Sequence, residues 1–361
     1  MTATPAATTG IVNSLTTGRL PKWAPWALLV GSWVVMSAVF GLVSAANGSE
    51  FNIVLAIFLG TVLFDVLIFV VAYLVEGARQ AKNRLVTSLV LTAFIIALLP
   101  LISLLFTVVI SGASRFDLAF FTSSMRNVVG EGGGALHAIT GTLLITGMAT
   151  IISVPVGLLT AIYLVEYGRG PLARAITFFV DVMTGIPSIV AGLFAFAFFA
   201  LIFGDPGIRF GFGGAVALSL LMIPVVVRSS EEMLKIVPNE LREASYALGV
   251  PKWLTILKIV IPTSIAGITT GVTLAIARVI GETAPLLIIA GFTASMNYDL
   301  FKDRMMSLPV FVYTQYANPG SDVQPYLDRA WAGALTLILI VMALNLIARL
   351  VARIFSPKLG R

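Results

Sequence analysis

The chain has 361 residues, of which 58% are hydrophobic and only 11% charged, whereas soluble domains carry about 25% charged residues. With a mean hydropathy of +1.00, this excludes a soluble globular protein, and the apolar runs are too long and continuous for the alternating strands, about 10 residues each, that build a barrel. The formal charge of +6 does not require nucleic acid, because basic residues gather in the cytoplasmic loops of membrane proteins.

An all-α polytopic membrane protein is therefore expected. The chain has no cysteine and one histidine, His137, which removes disulfides, thiolate chemistry and multi-histidine metal sites; no metal is expected. The stretch 1–17 carries no charged side chain and the first apolar run starts only after Lys22, so no cleaved presequence is expected.

In chain order, the hydropathy pattern predicts eight spans, at 26–45, 53–74, 85–110, 136–165, 175–203, 212–227, 264–292 and 331–354. An even number puts both termini on one side. With a cytoplasmic N-terminus, the inside connections hold most of the bases, including Arg19, Lys22, Arg79, Lys82, Arg84, Arg242, Lys358 and Arg361. The outside holds Arg115, Arg126, Arg209, Lys302, Arg304 and Arg329. Positive-inside asymmetry thus predicts that both termini are cytoplasmic.

The first two spans contain a deep charge, Asp65, for which the sequence names no partner. The run 130–134 is glycine-rich but lacks the Gly-Lys-Ser/Thr of a phosphate-binding loop, so it reads as a flexible lead-in to the fourth span. His137 reads as an interfacial helix-start residue. In the fourth span Gly141, Gly147 and Gly157 permit close helix approach. Asp181 lies near the cytoplasmic start of the fifth span, where hydration is cheap, and Pro187 marks a kink there that serves as a hinge.

The cytoplasmic loop 229–262 contains Asn239-Glu-Leu-Arg-Glu-Ala-Ser-Tyr-Ala-Leu-Gly-Val-Pro-Lys-Trp253. Gly249 suits the left-handed position after a helix end and Pro251 the first turn of the next helix, so the segment reads as helix, sharp turn, helix. Leu241, Ala244, Ser245 and Leu248 share one face of the first helix, with Glu240, Arg242 and Glu243 displayed around it, as a protein-docking surface requires.

In the seventh span, Arg278 and Glu282 are four residues apart inside an apolar segment and are expected on one helix face. Burying them costs several kcal/mol each unless they pair or face a polar cavity, so they form either a transport pathway or an internal clamp. Pro285 removes a helix hydrogen bond just beyond them and is a second expected hinge. The outer loop 294–329 includes an apolar patch, 305–313, too short to cross; it is expected either to lie in the interface or to form a lid that covers the helix ends.

The pattern Glu243-Ala244-Ser245, Gly249 and Ile259-Val-Ile-Pro262 resembles the coupling loop of ABC importer permeases, with Ser245 and Ile261 replacing the usual alanine and leucine. Gly130-Glu-Gly-Gly-Gly-Ala-Leu-His137, Gly185-Ile-Pro-Ser-Ile-Val190 and Ala277-Arg-Val-Ile-Gly-Glu-Thr-Ala-Pro-Leu-Leu287 together resemble the PstA branch of that family, the phosphate-importer permeases.

The resemblance implies a type I ABC importer permease fold: a six-span core over 79–361, preceded by a two-span extension over 1–78. It implies a non-catalytic subunit of the bacterial cytoplasmic membrane that imports phosphate, with Arg278 and Glu282 in the pathway. Residues Arg242, Glu243, Ala244, Ser245 and Gly249 would engage a cytoplasmic ATPase dimer (PstB-like) that holds ATP and Mg. A homologous permease (PstC-like) and an external phosphate-binding protein (PstS-like) complete the set. Sulfate or molybdate import, and a secondary anion carrier that needs no ATPase, are the alternatives.

Overall fold

The computed structural model describes residues 18–48 and 50–355, and every regular element among them is a helix. The uncharged start 1–17 and the bases Lys358 and Arg361 lie outside the described residues. The chain divides into two compact units, Met1–Leu105 and Phe106–Arg361, and the division falls within the third span.

The first unit holds α1 (Ala24–Asn47), α2 (Ile53–Glu76) and most of α3 (Ala78–Ala113). Pro25 occupies the first turn of α1, where its missing N–H is not needed, and Gly48 ends the helix at φ 64°. Asn52 caps α2 by accepting the N–H of Leu55 at 3.0 Å. Trp33 covers Gly60, where an added Cβ would lie 2.8 Å from the indole, and donates its Nε1–H to Thr61 Oγ1 at 3.0 Å. Asp65, 8% exposed, has its partner in α3: the Ser88 hydroxyl donates to its carboxylate. The large aliphatic side chains left outside, such as Val34, Leu42 and Val54, suit contact with lipid tails, which are as apolar as they are.

In the second unit a short α4 (Leu118–Thr122), capped by Asp117, precedes α5 (Leu136–Ile162), which packs along α8 (Gly211–Ile236). Between them in the chain come a π-helical turn, Tyr163–Tyr167, then α6 (Pro171–Thr184) and α7 (Ser188–Phe203). Helix α8 is the centre of the unit: 67% of its apolar window is buried, against 33% or less for the other unbroken spans. Close approach is bought by small residues. An added Cβ on Gly157 would lie 2.7 Å from Val226, and one on Gly141 would collide with the Met306 carbonyl. Gly147, expected in the same seam, faces open space instead.

Two predicted spans are broken. Helices α6 and α7 meet at 110°, because Gly185 ends one and Pro187, which disfavours a helical conformation in the residue before it, begins the other. Seven unbroken helices among the described residues are long and apolar enough to cross a membrane, and eight spans result if the bent pair is counted as one. The seventh predicted span is likewise not continuous. After α9 (Asn239–Ala247), α10 (Lys252–Thr255) and a π-helical turn, α11 (Ile261–Val279) stops, and α12 (Ala284–Ile289) starts afresh.

Most of the patch 305–313 is covered by protein, as the lid reading expects. Met305, Met306, Leu308, Val310 and Phe311 are all 2% exposed or less. They lead into α13 (Leu308–Ala317), which packs on α5 and on the last helix, α14 (Gln324–Phe355). The Leu308 N–H donates to Thr142 Oγ1 at 2.6 Å. Burial of these side chains against the core favours the lid over a segment that turns its apolar face to lipid.

Candidate functional site

The two breaks adjoin. A Cβ added to Gly192, one turn into α7, would lie 2.5 Å from the Cα of Pro285, in the first turn of α12. Neither proline kinks a continuous helix as the sequence suggested. Pro187 precedes the first residue of α7 and Pro285 sits where α12 begins, so each starts a helix at a position that needs no N–H.

Arg278 lies in the last turn of α11, a position that favours a cation beside the unsatisfied carbonyls. Glu282 lies beyond the helix end, its N–H bonded to the Val279 carbonyl at 3.1 Å. The two therefore do not share a helix face. Arg278 is exposed and Glu282 half-buried. Among the described residues neither side chain has a hydrogen-bond or salt-bridge partner. Irregular backbone at membrane depth is tolerated only inside protein or beside water, and an unpaired charge in lipid costs about 3 kcal/mol. This surface of the isolated chain therefore demands protein, water or a charged ligand against it.

The cytoplasmic hairpin is built by a different logic. Gly249 takes φ 75°, and its N–H and that of Val250 return to the carbonyls of Tyr246 and Ser245 at 2.9 and 3.2 Å. Ser245 is 3% exposed and shares a 2.8 Å hydrogen bond with Thr255 Oγ1, so it locks the turn and is not on display. Arg242 also points inward: its Nε donates to Glu166 Oε1 at 2.9 Å, and its Nη atoms reach the carbonyls of Val237 and Leu234 at 2.6 and 2.9 Å. Its side chain is 11% exposed and that of Glu166 5%. Lys252 adds a bond to the Glu166 carbonyl and lies 4.8 Å from the Tyr167 ring centroid. What faces outward is Glu243, Ala244, Leu241 at 42% exposure and Leu248 at 83%.

Asp181 is salt-bridged to Arg228 of α8, which also reaches Glu231 at 2.9 Å. His137 is in the first turn of α5, as expected of a helix-start residue, but it is covered by protein: it is 2% exposed, edge-on to Phe311 with ring centroids 5.7 Å apart. Among the described residues no group of three or more His, Cys, Asp or Glu is placed to hold a metal ion.

Residues 153–361 match the family described as binding-protein-dependent transport system inner membrane component. The chain belongs to this family. Among its relatives, the phosphate transport system permease protein PstA 1 of Mycobacterium tuberculosis is 48% identical over 276 residues, 76% of this chain and 89% of the relative. PstA of Mycobacterium leprae is 50% identical over 273 residues, covering 74% and 88%, and PstA of Yersinia pestis 39% identical over 284 residues, covering 78% and 93%. A bacterial alginate ABC transporter, solved with an alginate-bound periplasmic protein, aligns with a TM-score of 0.56 over 78% of this chain and 97% of that one. At 14% identity it speaks to the fold alone, that of an ABC importer permease.

Two further residues of this permease escaped the sequence reading. Glu166 closes an apolar run, and a carboxylate there signals the need for a cation, but nothing in the sequence points to Arg242, 76 positions on. Arg329, 1% exposed, donates to Gln315 Oε1 at 2.9 Å and to the carbonyls of Gly130 and Gly132 at 2.7 and 3.0 Å. Those glycines adopt φ 77° and 90°. The glycine run is thus strapped to α14 through its carbonyls, not left as a flexible lead-in.

Proposed function

We propose that this permease is a transmembrane subunit of an ATP-driven inorganic phosphate importer and forms half of its translocation pathway. The observation that carries the reading is Arg278 at the end of α11 and Glu282 in the break that follows, neither with a hydrogen-bond or salt-bridge partner among the described residues, inside an apolar segment. A guanidinium offers a planar fork matched to phosphate oxygens, and at the pathway it lowers the barrier to an anion. The neighbouring carboxylate keeps that charge from becoming a trap. Phosphate as the cargo is supported by the names of relatives 39% to 50% identical.

Leu241, Glu243, Ala244 and Leu248 would meet one subunit of a PstB-like ATPase dimer, which holds ATP and Mg; Arg242, Ser245 and Gly249 shape that surface from behind. A PstC-like permease supplies the other half of the pathway and a PstS-like protein delivers phosphate from outside. Both termini are cytoplasmic in the bacterial plasma membrane, the chain itself performs no covalent chemistry, and closure of the ATPase pair switches the spans between outward-open and inward-open states.

The test is labelled phosphate uptake in cells lacking their own importer, supplied with the partner subunits and either the intact chain or Arg278→Ala. ATP-dependent uptake that collapses in the variant while the complex still assembles supports the pathway role. Normal uptake in the variant makes Arg278 structural, and no phosphate uptake with the intact chain redirects the cargo to sulfate or molybdate.

A further inference from the structure

The first unit contains a cavity of about 800 Å³ between the approach to α1, the end of α2 and the start of α3. Its lining carries Arg19, Arg79 and Arg84 with one carboxylate, Glu76; beside the apolar Phe64, Ile68 and Leu91 stand Thr87 and Ser88, whose hydroxyl donates to Asp65. Glu76 is already committed. Arg84 donates to it from Nε at 2.5 Å and from Nη2 at 2.7 Å, and the Leu20 N–H donates at 2.8 Å, which pins the segment before α1 to the end of α2. Arg19 and Arg79 are exposed and, among the described residues, have no hydrogen-bond or salt-bridge partner. Lys22 and Lys82 follow closely in the chain.

Two exposed guanidiniums, of which Arg19 also feels the Glu76 carboxylate without bonding to it, share the cavity with three apolar side chains and make an amphipathic pocket at one end of a membrane hairpin. Guanidinium forks suit phosphate oxygens, and basic pockets between spans at the cytoplasmic face suit anionic headgroups. We propose that this pocket binds a phosphate group presented by an anionic phospholipid of the cytoplasmic leaflet, with Arg19 and Arg79 on the headgroup and an acyl chain along Phe64, Ile68 and Leu91. Free inorganic phosphate has the same oxyanion chemistry but nothing to set against Phe64, Ile68 and Leu91, and this decides for the lipid. The inference rests on the orientation proposed above and not on the cargo.

Native mass spectrometry of the purified full chain, titrated with phosphatidylglycerol or phosphatidylcholine of identical acyl chains, tests it. Preferential retention of phosphatidylglycerol is expected, weakened at least about fivefold by Arg19→Gln with Arg79→Gln. It should be largely kept by the paired Lys substitutions, and by Lys302→Gln with Arg304→Gln, which removes as much charge elsewhere. Equal retention of both lipids, or retention unchanged in the Gln pair, overturns the proposal. Displacement of the lipid by millimolar inorganic phosphate would assign the pocket to the free anion instead. All these readouts are independent of transport, so loss of lipid binding and loss of phosphate import are separate results.

Discussion

Gly192 and Pro285 touch backbone to backbone: a single methyl on Gly192 would sit 2.5 Å from the proline Cα. The contact joins the start of the second turn of α7 to the first turn of α12, and so holds together the two broken spans beside which Arg278 and Glu282 lie. Because the obstacle is main chain and not the far end of a side chain, it has little room to yield. Overpacking of this kind costs about 1–3 kcal/mol. Gly192→Leu is expected to lower the thermal midpoint of the purified complex and to abolish most phosphate uptake, with Gly192→Ala intermediate. Stability and uptake at the unsubstituted level in Gly192→Leu would show that the two helices part easily.

The separation of Arg278 from Glu282 by a helix end gives a second expectation. If the two were an internal clamp, removing either would orphan the other, and a double-mutant cycle on stability would show a coupling of about 0.5–3 kcal/mol. With no bond between them, Arg278→Ala and Glu282→Ala should be additive in thermal stability within about 0.5 kcal/mol, while each alone lowers uptake. A large coupling energy together with intact uptake in the single variants would restore the clamp.

The spans were legible because apolar composition persists for as long as a bilayer requires: α1 and α2 emerged within a few residues of their predicted limits. The breaks were not, for the same reason. Hydropathy stays high through Gly185, Pro187 and Ile280, so a composition window passes over them. A proline in such a run signals a disturbance without saying whether the helix bends or ends. The face of α9 was only half legible: periodicity groups Ser245 with Leu241 and Leu248, but not which way the helix rolls, and that is set by Glu166 and Thr255. The patch 305–313 is apolar at every depth, so periodicity could not separate an interfacial segment from a core one.

Arg329 gives a third expectation. With its guanidinium removed, the carbonyls of Gly130 and Gly132 and the amide oxygen of Gln315 lose their donor, at about 1–3 kcal/mol for the buried Gln315 oxygen and less for the exposed Gly132, which water can reach. Arg329→Ala should destabilise the chain and open the run 130–134 to limited proteolysis. Arg329→Lys should rescue less than half of the loss, since a point-like ammonium cannot serve the three acceptors as the guanidinium fork does. Full rescue by lysine would mean that charge alone matters there.

Arg242 and Leu248 belong to the same hairpin but should fail differently. Arg242→Ala leaves Glu166, its side chain 5% exposed, as a buried charge without its partner, which costs about 3–5 kcal/mol. Thermal stability should therefore fall, and Glu166→Gln in the same chain should recover a good part of it by removing the orphaned charge. Leu248, 83% exposed, contributes little to the fold, so Leu248→Asp should leave the thermal midpoint alone while the ATPase subunit is lost on co-purification. If instead Arg242→Ala keeps full stability and loses only the ATPase, the arginine is a contact residue after all and the inward tie to Glu166 is not what holds α9 in place.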